Sequence, residues 1–150
     1  MNNLIEESGG KVTGWGMALG TETVTNADLA AKMDTSNEWI LERTGISERR
    51  IGGSTSGLAV RAGQQALEMA GVKATEIDLL ILATTTPDEQ VPATSAIVQD
   101  QLGLTCGAMD LNAACSGFVY SLVTGFGFLK LGFKRILIIG SETLSRITDW

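Results

Sequence analysis

At 150 residues the chain is long enough to form one domain with a sizeable core. A hydrophobic share of 44% against 19% charged residues excludes an intrinsically disordered polymer. The net charge of −6 excludes a general field for nucleic acid, and two cysteines with no histidine exclude a disulfide framework and the commonest zinc ligand and general base.

Residues 1–10 are polar and acidic, which predicts a loose tail rather than a signal peptide. Lys11 to Leu19 then reads as a glycine-interrupted first strand. Thr25 or Asn26 caps a short helix running through Met33. Thr35 or Ser36 caps a second, with Glu38 in its first turn and its end near Gly45. Trp39 and Arg43 are four apart on that helix, so they share a face. An indole beside a guanidinium can hold a nucleotide, one stacking on the base and the other pairing with phosphate. A surface cation–π pair explains the same spacing, and spacing alone favours that plainer reading. Arg43, Arg49 and Arg50, within eight positions, make a local basic cluster.

Ser54 to Ala70 predicts the best helix of the first half, with Leu58, Ala62, Ala66 and Met69 on its buried face and Gly71 as the C-terminal stop. Ile77 to Ala83 is a nearly continuous apolar run, as in a parallel strand covered on both faces. Thr84 to Pro87 begins a loop at its carboxyl end, and Pro92 starts a helix to about Leu102. Gly107 to Leu111 is a further strand, preceded by Cys106, whose thiol is assigned a structural role.

Asp110-Leu111-Asn112-Ala113-Ala114-Cys115-Ser116-Gly117-Phe118 reads as a strand end, a turn of small residues and a helix start. Helix-initial N–H groups lack intrahelical partners and carry partial positive charge. That setting favours the thiolate, the nucleophilic form of cysteine. Cys115 is therefore a candidate covalent nucleophile, with Ala113, Ala114 and Gly117 leaving room for a substrate carbonyl. A merely buried small residue is the competing explanation. From Ser116 to Leu131 the pattern is apolar nearly all round, which predicts a central buried helix with Lys130 and Lys134 at its C-terminal end. Leu111 to Leu129 is uncharged and long enough to span a bilayer, yet its polar residues and three glycines favour a protein core. Arg135 to Gly140 is a second fully buried strand, and Ser141 to Trp150 a loop. Alternating strands and helices give an α/β class with a mostly parallel sheet covered on both faces. Sites in such sheets lie at the carboxyl ends of the strands, where Thr84, Cys115 and Ser141 fall.

Several of these segments, taken in order, resemble the N-terminal half of β-ketoacyl-acyl-carrier-protein synthase III, in the thiolase superfamily. They are Thr25-Asn26-Ala27-Asp28-Leu29, Asp34 to Ile40, Arg43-Thr44-Gly45-Ile46, Leu80 to Thr86, Asp110 to Phe118 and Gly140-Ser141-Glu142. The resemblance covers about Lys11 to Trp150 and implies one thiolase-like α/β/α domain, half of a duplicated fold and incomplete at its C-terminal end. It implies a decarboxylating Claisen condensation. Cys115 takes an acyl group from acyl-coenzyme A, and malonyl-acyl-carrier protein then attacks the thioester. Trp39 and Arg43 match residues that hold the coenzyme A adenine and phosphates, and Thr35 lies in the same site. Val91 falls in the family's dimer-interface loop, where a larger aromatic is common against the acyl pocket. The implied setting is a cytoplasmic homodimer with acyl-coenzyme A as substrate, no resident cofactor or metal, no nucleic acid and no membrane. A non-catalytic remnant or a subunit needing a partner chain, and a polyketide-type starter synthase of the same superfamily, are the alternatives. The family completes its site with a histidine and an asparagine from its second half, and no histidine occurs in these 150 residues.

Overall fold

The structure, a computed structural model, describes residues 9–150. The tail expectation for residues 1–10 therefore falls almost wholly outside the described residues. The chain divides into two compact units, one comprising the residues up to Ala18 with Thr55–Glu142, the other Leu19–Ser54 with Thr143–Trp150.

The larger unit holds a three-stranded parallel sheet. β3 (Leu79–Ala83) is its centre, flanked by β4 (Gly107–Leu111) and β5 (Ile136–Gly140), with Ala83 in register with both Leu111 and Gly140. All five residues of β3 are buried, as an apolar run in a parallel sheet requires. Helices α3 (Thr55–Ala70) and α4 (Thr94–Leu102) cover one face. Ala59 and Val98 meet Leu80, Leu82, Leu137 and Ile139 there. Helix α5 (Gly117–Lys130) lies on the other face, where Gly125 sits against Ile136 and Ile138. The expected α/β class with a parallel sheet between helices is therefore present.

Several details depart from the sequence expectations. Lys11 to Leu19 joins no ladder among the described residues. Its part up to Ala18 runs over α3 instead, and the Met17 N–H donates to Gln65 Oε1 at 3.2 Å. A Cβ on Gly16 would lie 2.1 Å from the Ala62 carbonyl oxygen, so the glycines serve a close approach to a helix rather than interrupting a strand. The buried face of α3 is Thr55, Ser56, Ala59 and Gly63, while Met69 is 54% exposed. A Cβ on Gly63 would lie 3.0 Å from Leu102 Cδ1 and 3.1 Å from Ile139 Cδ1, so close packing there selects the small residues over the larger apolar ones. Pro92 precedes α4, which begins at Thr94. β5 is half-buried rather than fully buried: Leu137 and Ile139 are buried in the core under α3 and α4, whereas Ile136 and Ile138 on the α5 face are only partly covered.

Helix α5 departs most. It buries Gly117, Ser121 and Gly125, while Phe118, Val119, Tyr120, Leu122, Val123 and Phe126 are each 43–67% exposed. An apolar stripe of this kind marks an interface or an aggregation liability. The chain purified alone should therefore scatter light with a mass above that of one chain, and Val123→Glu should lower it. A monodisperse monomer of the unsubstituted chain would contradict this.

The smaller unit pairs β1 (Glu22–Thr25) antiparallel with β2 (Glu48–Ile51), Thr25 opposite Glu48. Between them lie α1 (Asn26–Ala30), shorter than the expected helix to Met33, and α2 (Asn37–Thr44). Thr25 caps α1 in a capping box with Asp28, and Ser36 caps α2 by accepting the Trp39 N–H at 3.1 Å. Gly45 ends α2 in the left-handed region at φ 68°.

Candidate active site

In the larger unit the strand ends are aligned and tied. The Thr84 N–H donates to the Leu111 carbonyl and the Ser141 N–H to the Ala83 carbonyl, each at 3.1 Å, carrying the ladder one step past the strands. Three carboxylates brace this rim. Glu142 accepts from the Thr85 N–H at 2.7 Å, the Thr86 N–H at 3.1 Å, and both threonine hydroxyls. Asp88 accepts the Thr55 and Ser56 N–H groups that open α3. Asp110 in β4 accepts the Thr94 and Ser95 N–H groups that open α4, at 3.0 and 2.7 Å, because Ala93 has no capping side chain. Sequence spacing hides these long-range caps.

Cys115 stands four residues beyond β4, within a 3-10 turn of Ala114–Ser116 that runs directly into α5. Gly117 seats the start of α5 on β3, since a Cβ there would lie 3.3 Å from the Ala83 Cβ. Ala114 has φ 46°, a left-handed conformation costing an alanine about 1–2 kcal/mol. Such strain persists where surrounding structure imposes it, and it gathers at functional positions. The Cys115 side chain is exposed. Cys106 is partly covered, and burial, the largest influence on it, pushes its thiol pKa up. One cysteine thus stands open at a strained turn while the other is withdrawn. Val91, also in this unit, is 87% exposed and precedes Pro92.

In the smaller unit α2 brings Trp39 and Arg43 together. The Arg43 guanidinium lies over the indole, 4.4 Å from the ring centroid, and Trp39 remains 52% exposed. Arg43 also stands 3.8 Å from Glu42. Thr35 is half-buried just ahead of α2, and its hydroxyl oxygen is buried without a hydrogen-bond partner among the described residues. Buried hydroxyls ordinarily have a partner, which makes this one an exception in the fold.

Residues 109–150 match the family model for 3-oxoacyl-[acyl-carrier-protein (ACP)] synthase III. Over 144 residues the chain is 56% identical to the β-ketoacyl-[acyl-carrier-protein] synthase III of Bradyrhizobium diazoefficiens, covering 93% of this chain and 44% of that protein. The crystal structure of 3-oxoacyl-[acyl-carrier-protein] synthase III from Aquifex aeolicus superposes with a TM-score of 0.92 at 44% identity, over 95% of this chain and 47% of that one. The priming β-ketosynthase of the R1128 polyketide biosynthetic pathway superposes with a TM-score of 0.88 at 32% identity, over 93% of this chain and 43% of that one. The fold is thus the thiolase-like α/β arrangement of these enzymes. The parallel sheet, the cysteine turn and the identity across nearly all of its length agree: the chain, which spans about half the length of the curated relatives it matches, belongs to the β-ketoacyl-[acyl-carrier-protein] synthase III family.

Proposed function

We propose that this chain carries the nucleophile and the coenzyme A-binding residues of a 3-oxoacyl-acyl-carrier-protein synthase that starts fatty acid biosynthesis. The observation that carries the reading is an exposed Cys115 in the turn between β4 and α5, directly after the strained Ala114. The Cys115 thiolate attacks the thioester carbonyl of acyl-coenzyme A. A new C–S bond forms, the bond to the coenzyme A sulfur breaks, and that thiolate leaves to take up a proton. Malonyl-acyl-carrier protein then loses carbon dioxide, and the electron pair of the broken C–C bond attacks the acyl-cysteine carbonyl. Cys115 leaves as thiolate, and the 3-oxoacyl chain stays on the carrier protein. The enzyme works as a cytoplasmic homodimer, and Val91, small for its place, sets the width of the acyl pocket. Incubation with acetyl-coenzyme A should add one acetyl group to the intact chain, mapped to Cys115 by peptide mass spectrometry. An unmodified chain after prolonged incubation would count against the reading.

Coenzyme A binding is assigned to Trp39, Arg43 and Thr35. The guanidinium covers one face of the indole, which leaves the second for a base. Trp39→Ala should weaken coenzyme A binding by about 1–3 kcal/mol, the worth of one aromatic–base stack. Unchanged affinity by calorimetry would return the pair to a surface cation–π contact. The likeness to a priming polyketide ketosynthase favours a second reading, in which the same acyl transfer starts a polyketide. Turnover with the two pathways' carrier proteins separates them.

A further inference from the structure

We infer that Asn26 is the positioning residue of the coenzyme A-binding helix. The inference rests on the assignment of Trp39 and Arg43 to coenzyme A. Asn26 opens α1 and is 2% exposed, and its carboxamide is used from both ends. Its Nδ2 donates to Asn37 Oδ1 at 3.0 Å and to the Ile46 carbonyl at 2.9 Å. Its Oδ1 accepts from the Arg49 guanidinium. Its backbone N–H donates to the Ser47 carbonyl at 3.2 Å. One side chain thereby fastens the first residue of α2, the link that leaves α2, and strand β2.

The helix has little else to hold it. Of its eight residues only Ile40 is buried, and Trp39 and Arg43 project from a mostly exposed surface. A short helix with one apolar anchor can rotate about that anchor. A second attachment at its N-terminal residue removes that freedom. Both amide protons of Asn26 point at oxygens, so an aspartate would set acceptor against acceptor there. Preorganisation of a binding face lowers the ordering cost of the ligand. Asn26 therefore acts on coenzyme A through Trp39 and Arg43, without touching it.

The test measures coenzyme A affinity by calorimetry, and Cys115 acetylation by acetyl-coenzyme A and by acetyl-pantetheine, which lacks the nucleotide. Asn26→Ala should weaken coenzyme A binding about fivefold, the worth of one neutral hydrogen bond, and should leave acetylation by acetyl-pantetheine unchanged. Asn37→Ala removes the α2 acceptor, together with the exposed 3.4 Å contact of the Asn37 amide with Glu38, and should reproduce most of that loss in a chain that keeps Asn26. Neither substitution should weaken binding further in a Trp39→Ala/Arg43→Ala background. Equal losses with both acetyl donors, or an additive loss in that background, would overturn the positioning role. If Trp39→Ala itself leaves the affinity unchanged, the coenzyme A assignment fails. If Trp39→Ala weakens binding while both asparagine variants bind normally, only the role of Asn26 fails.

Discussion

Serine at position 115 should abolish acyl transfer from coenzyme A, and serine at position 106 should leave it nearly unchanged. A serine hydroxyl is a weak nucleophile at neutral pH and needs a general base. No histidine is present anywhere in the sequence to serve as one. The expected loss in Cys115→Ser is on the order of 10²–10⁴, the contribution such a base would have to make. Cys106 is different in kind. It is partly covered just before β4, its carbonyl accepts from the Gln99 amide, and burial raises its thiol pKa. A raised pKa leaves less thiolate at any given pH below it, so Cys106 should also alkylate more slowly than Cys115 in the folded chain, the gap narrowing as pH rises. Quantitative iodoacetamide labelling followed by peptide mapping checks this. Recovery of the acyl group on Cys106 would overturn the assignment.

Local chemistry explains what could be read in the sequence. The apolar run at 77–83 is continuous because β3 has a strand on each side and helices on both faces. Ser36 and Gly45 bound α2 through their own side-chain and backbone preferences, needing nothing distant. The cysteine turn was legible because small residues between a strand pattern and a helix pattern have few other uses. The rest depended on neighbours far along the chain. The β1–β2 pair escaped because Glu22–Thr25 and Glu48–Ile51 are short, mostly polar and without a buried residue, so no apolar period announces them. Asp110 and Glu142 act on groups 15 to 58 residues away, and no spacing rule reaches that far. On α3 the expectation followed hydrophobicity, whereas the packing followed size at Ala59 and Gly63. On α5 composition announced an apolar helix correctly, but composition does not say what covers it. The left-handed Ala114 beside Cys115 has no sequence signature, since alanine rarely adopts that conformation.

These 150 residues should accept an acyl group slowly and should not release carbon dioxide from malonyl-acyl-carrier protein. The two half-reactions make different demands. Acylation needs a sulfur nucleophile, a bound thioester and an approach path, and an exposed Cys115 beside small residues offers the sulfur and the path. Decarboxylation leaves an electron pair that must delocalise onto the thioester oxygen. That oxygen then carries negative charge, which is stabilised by preorganised hydrogen-bond donors aimed at it. The family resemblance assigns those donors to a histidine and an asparagine in the half that this chain does not span, and the chain has no histidine of its own. Losing even one oxyanion donor costs about 10²–10³ in rate, so losing both should lower release by more than that factor. The assay pairs acyl-cysteine formation by intact mass with carbon dioxide release from labelled malonyl-acyl-carrier protein on one preparation. Acylation without release is the expected result. Release at a rate typical of an enzyme would show that other residues of this chain supply the donors, and would remove decarboxylation from the missing pair.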